Sequence, residues 1–263
     1  MISDAPRLLH FHIFKNGGST LDWILQRNFG DAFREVHGRR AESTLIEEDI
    51  ESILREDSST VVFSSHHFRF PIDRLSSVFP IVLLRDPLDR IASIFEQERR
   101  SGQVDLGVGV ADWVRRCLEE RPYMLCDTQT SFIARGGVYY DPPTEIDLGT
   151  AKARLDALPF VGVVDQYDAS MVCLEHQLRF WWPEFDARYF PQNRSDRDPS
   201  LSHRLAVLRH MLGDELFKRL ETNNLYDARL AEHARSKLHQ KLDEIADVCA
   251  ASEDFAARCA TLR

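Results

Sequence analysis

The sequence predicts an α/β fold: a parallel β-sheet flanked by helices, with a helical C-terminal region. Three observations carry this. Strand-like runs such as "TVVFSS" and "FPIVLL" are short and apolar on both faces, as in a parallel sheet covered on both sides. Helical patterns separate these runs. From His203 onward the chain reads as helix alone. The 263 residues show no internal repeat, low-complexity segment or linker, so a single domain over 1–263 is expected.

The elements follow in order. Arg7 to Ile13 reads as a buried strand. Ser19 to Phe29 reads as a helix with Leu21, Ile24 and Leu25 facing inward. Phe33 to His37 is a second short strand, and Thr44 to Glu56 has helical spacing with acidic residues near its start. Thr60 to Ser65, Phe79 to Leu84 and Phe160 to Val164 complete the strands. Gly102 to Gly109 and Gly136 to Thr144 read as loops. Pro191 to Ser202, "PQNRSDRDPSLS", is the most polar stretch and reads as a surface loop near a ligand or as a lid. A charged amphipathic helix is expected around Tyr226 to Val248.

Composition narrows the function classes. A hydrophobic share of 43% suits a soluble protein with a full core. A formal net charge of -9 argues against a nucleic-acid binder, while leaving room for a local basic cleft. The five cysteines are scattered and form no C-x-x-C pair, which favours reduced thiols over a disulfide framework or a zinc site. No apolar run reaches membrane-spanning length and no signal peptide precedes the first strand, so a cytoplasmic protein is expected.

Two strand ends carry chemistry. In "LLHFHIFKNGGSTLDWIL" a strand runs straight into lysine, asparagine and two glycines, then into a helix. Such a turn lies at the carboxyl edge of a parallel sheet, where α/β proteins bind ligands. Gly17 and Gly18 let backbone amides approach a ligand closely. Ser19 and Thr20 open a helix whose N–H groups and dipole favour an anion, and Lys15 adds a full charge. These parts suit a phosphate or sulfate group. The plainer alternative is a strand-to-helix turn with an N-cap serine. Lys15 precedes the glycines, so the nucleoside-triphosphate loop G-x-x-x-x-G-K-[ST] is not matched. In "PIVLLRDPLDRIASIFEQERR" a strand ends in Arg85, Pro87 suits a first helical turn, and Ser93 lies two turns beyond. A guanidinium and a hydroxyl so placed can grip one phosphate. The plainer alternatives are a salt bridge from Arg85 to Asp86 or Asp89 and a packing role for Ser93.

Together the two segments resemble the sulfotransferases. "HIFKNGGSTL" is similar to their 5′-phosphosulfate loop, and "LLRDPLDRIASIF" to their 3′-phosphate motif. The likeness is greatest to carbohydrate sulfotransferases of the heparan sulfate 2-O type. It continues more weakly through "HHFRF", "LPFVGVVDQYDASMVCLEHQL" and "LETNNLYDARLAEHA". The resemblance implies a P-loop-NTPase-like sheet and 3′-phosphoadenosine 5′-phosphosulfate (PAPS) as donor. Lys15 and the amides of Asn16, Gly17, Gly18, Ser19 and Thr20 would hold the 5′-phosphosulfate; Arg85 and Ser93 would hold the 3′-phosphate. The sequence departs from the family at Phe14 and Asn16, where proline and threonine are usual.

The candidate base follows the strand Thr60 to Ser65. His66 and His67 should lie at the same sheet edge as Lys15 and Arg85, and histidine takes a hydroxyl proton near neutral pH. The resemblance places the catalytic histidine at H-x-x-[FY], which fits His67 with Phe70; His66 is the adjacent alternative. No metal is required, since Lys15, Arg85 and the helix end supply positive charge. The expected partner is an acceptor hydroxyl compound, a glycan or glycoconjugate. Rival readings are a P-loop-like kinase using ATP and a nucleotide-binding module without catalysis.

Other residues point less sharply. His10 and His12 share one strand face but lack a further metal ligand at motif spacing. His233 and His239 read as solvated, and Trp181-Trp182-Pro183 as core packing rather than a sugar platform. Asn193 and Arg194 are possible nucleotide contacts. Glu98-Arg99-Arg100 reads as a solvated helix end.

Overall fold

A computed structural model describes residues 5–40, 43–136, 141–190 and 200–262. The first half alternates β1 (Arg7–Phe11), α1 (Gly18–Phe29), β2 (Phe33–Glu35), α2 (Glu47–Glu56), β3 (Val62–Ser65), β4 (Val78–Leu84) and α3 (Pro87–Arg100). Then come α4 (Val110–Glu120), α5 (Thr128–Arg135), α6 (Glu145–Ala157), β5 (Phe160–Val163) and α7 (Tyr167–Leu178). Four helices close the chain: α8 (Leu201–Leu212), α9 (Asp214–Asn223), α10 (Leu225–Asp243) and α11 (Val248–Ala260).

The five strands form one all-parallel sheet in the order β2-β3-β1-β4-β5. Phe11 lies level with Ser65 of β3 and Val82 of β4, so the three central strands end at a common edge. Their side chains explain the central position. Leu8, Leu9, Phe11, Phe63, Ile81 and Val82 are all buried and pack under α1 and α7 with Leu21, Ile24 and Met171. A second apolar cluster joins α3, α4, α8 and α9 through Ile94, Trp113, Leu212 and Leu220. No helix among the described residues is long and apolar enough to cross a membrane.

Several boundaries differ from expectation for local reasons. β1 stops at Phe11, because the chain tightens into a turn: Ile13 N–H donates to the Phe11 carbonyl (2.9 Å) and Asn16 N–H to that of Ile13 (3.1 Å). The polar stretch ends earlier than Ser202, since Ser200 caps α8 by accepting from His203 N–H. Residues 191–199, with Asn193 and Arg194, lie outside the described residues, as do 137–140 of the earlier loop. The expected amphipathic helix is α10, which ends at Asp243, short of Val248; a separate helix, α11, follows, with Asp247 capping it by accepting from Ala250 N–H.

Side chains expected to be unremarkable mostly are. Trp181 meets Phe79 edge-on and Trp182 meets Phe29, both away from the strands' carboxyl ends. His233 and His239 are not merely solvated; they contact Asp156 (2.7 Å) and Gln166 (2.9 Å). Glu98 departs further: it is buried, accepting from Trp113 (2.8 Å) and Arg121 (2.7 Å), while Arg99 and Arg100 are exposed.

Candidate functional site

The β1–α1 junction is a turn built on left-handed backbone. Lys15 has φ 65° and Gly17 φ 75°, values that favour glycine. Gly18 is required for a different reason: a Cβ there would lie 2.2 Å from the His12 ring. The scaffold takes the turn's carbonyls. Arg90 Nε donates to Phe14 O (3.1 Å), Arg85 Nη1 to Lys15 O (2.9 Å) and the Tyr167 hydroxyl to Gly17 O (3.2 Å). Since N–H and C=O oppose each other across a trans peptide, the N–H groups of Lys15 and Gly18 are turned the other way. Gly17, the N-cap of α1, supplies no side-chain cap to the first turn. The N-cap residue thus adds no hydroxyl or carboxylate of its own to the positive end of the helix. Ser19 is exposed there, and Lys15 and Thr20 are half-buried; the Lys15 ammonium stands 3.4 Å from Gln97 Oε1. Asn16 behaves differently. It is buried, and its amide nitrogen ties the turn to Leu83 O and Gln129 Oε1 (2.8 Å each).

The β4–α3 junction caps itself. Asp86 accepts from the N–H groups of Leu88 and Asp89 (3.0 Å each), and Pro87 fills the first helical position. Arg85 is engaged by Asp89 (2.8 Å) as well as by the Lys15 carbonyl, which matches the plainer expectation of a salt bridge. Arg204 of α8 reaches the same carboxylate (2.8 Å). Burial pushes Asp89 up, but the Arg85 charge and the Arg204 hydrogen bond outweigh it and hold the carboxyl below its ordinary range. Ser93 is half-buried on α3, two turns beyond Arg85.

The β3 end separates its two histidines. His66 stacks on His12 (ring centroids 3.8 Å) and its Nδ1 meets the His12 carbonyl at 2.7 Å. That contact fixes the tautomer: Nδ1 carries the proton and Nε2 keeps the lone pair. Burial, then the neighbouring His12, lowers its pKa to about 4, so the ring is neutral at physiological pH. His67 turns to another side, with Nδ1 at 2.7 Å from the Ser43 carbonyl and its own carbonyl accepting from Leu45 N–H. His66 lines a cavity of about 420 Å³ on the β2–β3 side of α1; His67 is not part of its wall.

The same wall contains residues that spacing in the sequence did not single out: Asp22, Trp23, Glu35 and His37. Asp22 answers the missing third partner of the His10–His12 pair. Its two oxygens meet His10 Nδ1 (2.7 Å) and His12 Nδ1 (2.8 Å). Burial alone would raise Asp22, yet the two imidazoles hold it far below the usual carboxylate range, while burial keeps His10 below its ordinary value. The three groups are close enough to share a cation. Their mutual hydrogen bonds already satisfy them, and the set acts as a support beneath His66.

Gln129 joins the two junctions. Its Oε1 accepts from Asn16 Nδ2 (2.8 Å) and Arg85 N–H (2.9 Å), and its Nε2 donates to Arg85 O (2.9 Å). Behind it, Asp227 of α10 accepts from the N–H groups of Gln129 (3.0 Å) and Thr130 (2.7 Å). Asp127 accepts from Asp227 N–H (2.8 Å); burial and then the Asp227 charge push its pKa up to about 7. The structure thus brings Lys15, Asn16, Gly17, Gly18, Ser19, Thr20, Arg85 and His66 to one sheet edge. His67 follows the same strand but faces elsewhere.

No known family profile matches the chain. An uncharacterized protein of Archaeoglobus fulgidus is 30% identical over 245 residues, covering 86% of this chain and 94% of that protein. The chain belongs to the same family as this archaeal protein.

Proposed function

We propose that this protein is a PAPS-dependent sulfotransferase acting on an acceptor hydroxyl. The observation that supports it best is the β1–α1 turn, whose carbonyls are drawn into the scaffold and whose N-cap glycine adds no side-chain cap, beside a neutral, tautomer-fixed imidazole on the neighbouring strand. In this reading the turn and Lys15 take the 5′-phosphosulfate. Arg85 and Ser93 take the 3′-phosphate, with Arg85 sharing its guanidinium between that phosphate and Asp89. The acceptor oxygen attacks sulfur in line as the bond from sulfur to the bridging oxygen breaks. The acceptor proton passes to His66 Nε2, and Lys15 with the turn amides stabilises charge growing on the leaving oxygen. The products are a sulfate ester and adenosine 3′,5′-bisphosphate. Geometry favours His66 over His67 as the base, since His66 lines the cavity.

The test is transfer of labelled sulfate from PAPS by His66→Ala and His67→Ala. His66→Ala is expected to lose roughly a hundredfold in transfer, the usual scale for a general base, and to keep its affinity for adenosine 3′,5′-bisphosphate. His67→Ala is expected to retain transfer. With a base of pKa about 4, kcat/KM should stay level from pH 7 down to pH 5. Equal affinity for AMP and adenosine 3′,5′-bisphosphate would remove Arg85 and Ser93 from the site.

A further inference from the structure

The cavity beside His66 has a chemical character of its own. Its wall carries the carboxylates of Asp22 and Glu35, the imidazoles of His12, His37 and His66, and the indole of Trp23. Among the described residues that form it there is no lysine or arginine. Arg39 and Arg40 follow in the chain after Gly38 and are exposed, but they do not form the wall. Glu35 ends β2 at the rim, exposed, with His37 Nε2 at 3.5 Å. Asp22 lies deeper, held ionised by its two imidazole partners. At about 420 Å³ the space is in the range of small-ligand pockets.

We infer that this cavity receives the acceptor, and that the acceptor is a small polyhydroxyl compound bearing no anionic group. The inference rests on the sulfuryl-transfer reading for the role of His66, but the ligand class follows from the wall. A uronic acid or an already sulfated sugar would bring negative charge against two carboxylates with no guanidinium or ammonium among the described wall residues to meet it, and like charges brought together at an interface are strongly selected against. A neutral sugar finds hydrogen-bonding partners in Glu35, Gln26, His37 and His66 and an apolar face in Trp23. An amino sugar gains more, because its ammonium can pair with Glu35 at the rim. The acceptor would enter on the β2–β3 side of α1, while the donor occupies the turn at the start of that helix. The two substrates then meet at Ser19 and His66, which border both.

The experiment uses the full chain and three readouts. Calorimetry with adenosine 3′,5′-bisphosphate tests the donor reading alone. Labelled-sulfate transfer compares methyl glucoside and glucosamine with a hyaluronan oligosaccharide. Saturation-transfer NMR compares glucosamine with glucuronate in the absence of donor, for the wild type, Glu35→Lys and Trp23→Ala. The expected result is transfer to the neutral and amino sugars with kcat/KM at least tenfold above the hyaluronan oligosaccharide. Glu35→Lys should reverse that preference by a similar factor. Donor binding with transfer chiefly to the hyaluronan oligosaccharide, unaffected by Glu35→Lys, overturns the inference and leaves the sulfotransferase reading standing. If the bisphosphate does not bind, the donor reading fails and the NMR arm decides the cavity. Glucosamine binding that Trp23→Ala abolishes supports the inference; a preference for glucuronate, or binding of neither sugar, overturns it.

Discussion

The β1–α1 and β4–α3 junctions sit side by side on the sheet edge, and both read in the sequence as grips for a phosphate. They are built on opposite principles. At the first, the N-cap is glycine, no side chain caps the helix, and the turn's carbonyls are taken up by Arg90, Arg85 and Tyr167. At the second, Asp86 caps the helix, proline occupies its first position, and the arginine is paired with Asp89. The first junction has no side-chain cap at its N-cap residue; the second caps its own helix and lends Arg85 to the turn of the first. An arginine at a strand end that the fold already pairs can therefore meet an anion only by sharing its guanidinium, as Arg85 would between Asp89 and a 3′-phosphate in the proposed donor site. Here Arg85 serves the turn directly, through the Lys15 carbonyl.

This contrast can be broken most severely at Asp89. Asp89→Ala removes the partner of two largely buried guanidinium groups, and leaving buried charge uncompensated typically costs about 3–5 kcal/mol. Chemical denaturation should show a loss of that order. A loss under 1 kcal/mol would mean that Arg85 is held mainly by the ligand site. Lys15→Ala should do the reverse. It is expected to weaken binding of adenosine 3′,5′-bisphosphate by about 1.5–3 kcal/mol, the scale of a charge-assisted contact, with the melting temperature nearly unchanged. Calorimetry and a thermal melt on the same sample would separate the two effects.

Behind both junctions, Asp127 offers a pH-resolved test. Its pKa is raised to about 7 by burial and by Asp227, against an ordinary value near 3.8. The folded state thus holds a proton that the unfolded chain releases earlier, so this group's contribution is present at acid pH and is lost as pH rises toward 7. Asp127→Asn keeps an acceptor for Asp227 N–H and tolerates the left-handed backbone there (φ 43°), so it should stabilise the fold at pH 8, on the order of 2 kcal/mol, and change little near pH 4. Equal stability of the two proteins at pH 8 would show that Asp127 ionises freely. The smallest effect is expected at the second cap, where Asp86→Ala should cost about 1 kcal/mol in denaturation. No comparable side-chain cap exists at Gly17 to remove.

Much of this architecture was legible in the chain because its causes are local. A parallel strand buried on both faces must be apolar throughout, and Leu8 to Phe11, Val62 to Ser65 and Val78 to Leu84 announce themselves that way, with His10 and the β3 serines as polar exceptions. Glycines at Gly17 and Gly18 betray a tight turn because few other residues accept its geometry. The residues that hold the turn were not legible. Gln129 and Tyr167 lie 113 and 150 positions from the groups they bind there, and nothing in their own neighbourhoods marks them. Glu98 misled for a related reason: it sits in a charged run, yet Trp113 and Arg121 fold over it.

The sequence by itself determined the strands, most of the helices, the kind of turn after β1 and the edge at which His66, Lys15 and Arg85 would meet. Parallel order and short apolar strands leave little freedom in those matters. Only the tertiary structure decided which of two adjacent histidines faces the cavity and whether Arg85 is paired. Neighbouring residues at a strand end point to opposite sides; the motif with Phe70 favoured His67, but β2, α1 and the segment around Ser43 cover the two sides differently and set His66 at the cavity. Arg85 acquired its partners from α3, the turn and distant α8 at once. Long-range packing sets where a side chain's charge is spent, and pattern along the chain carries no record of it.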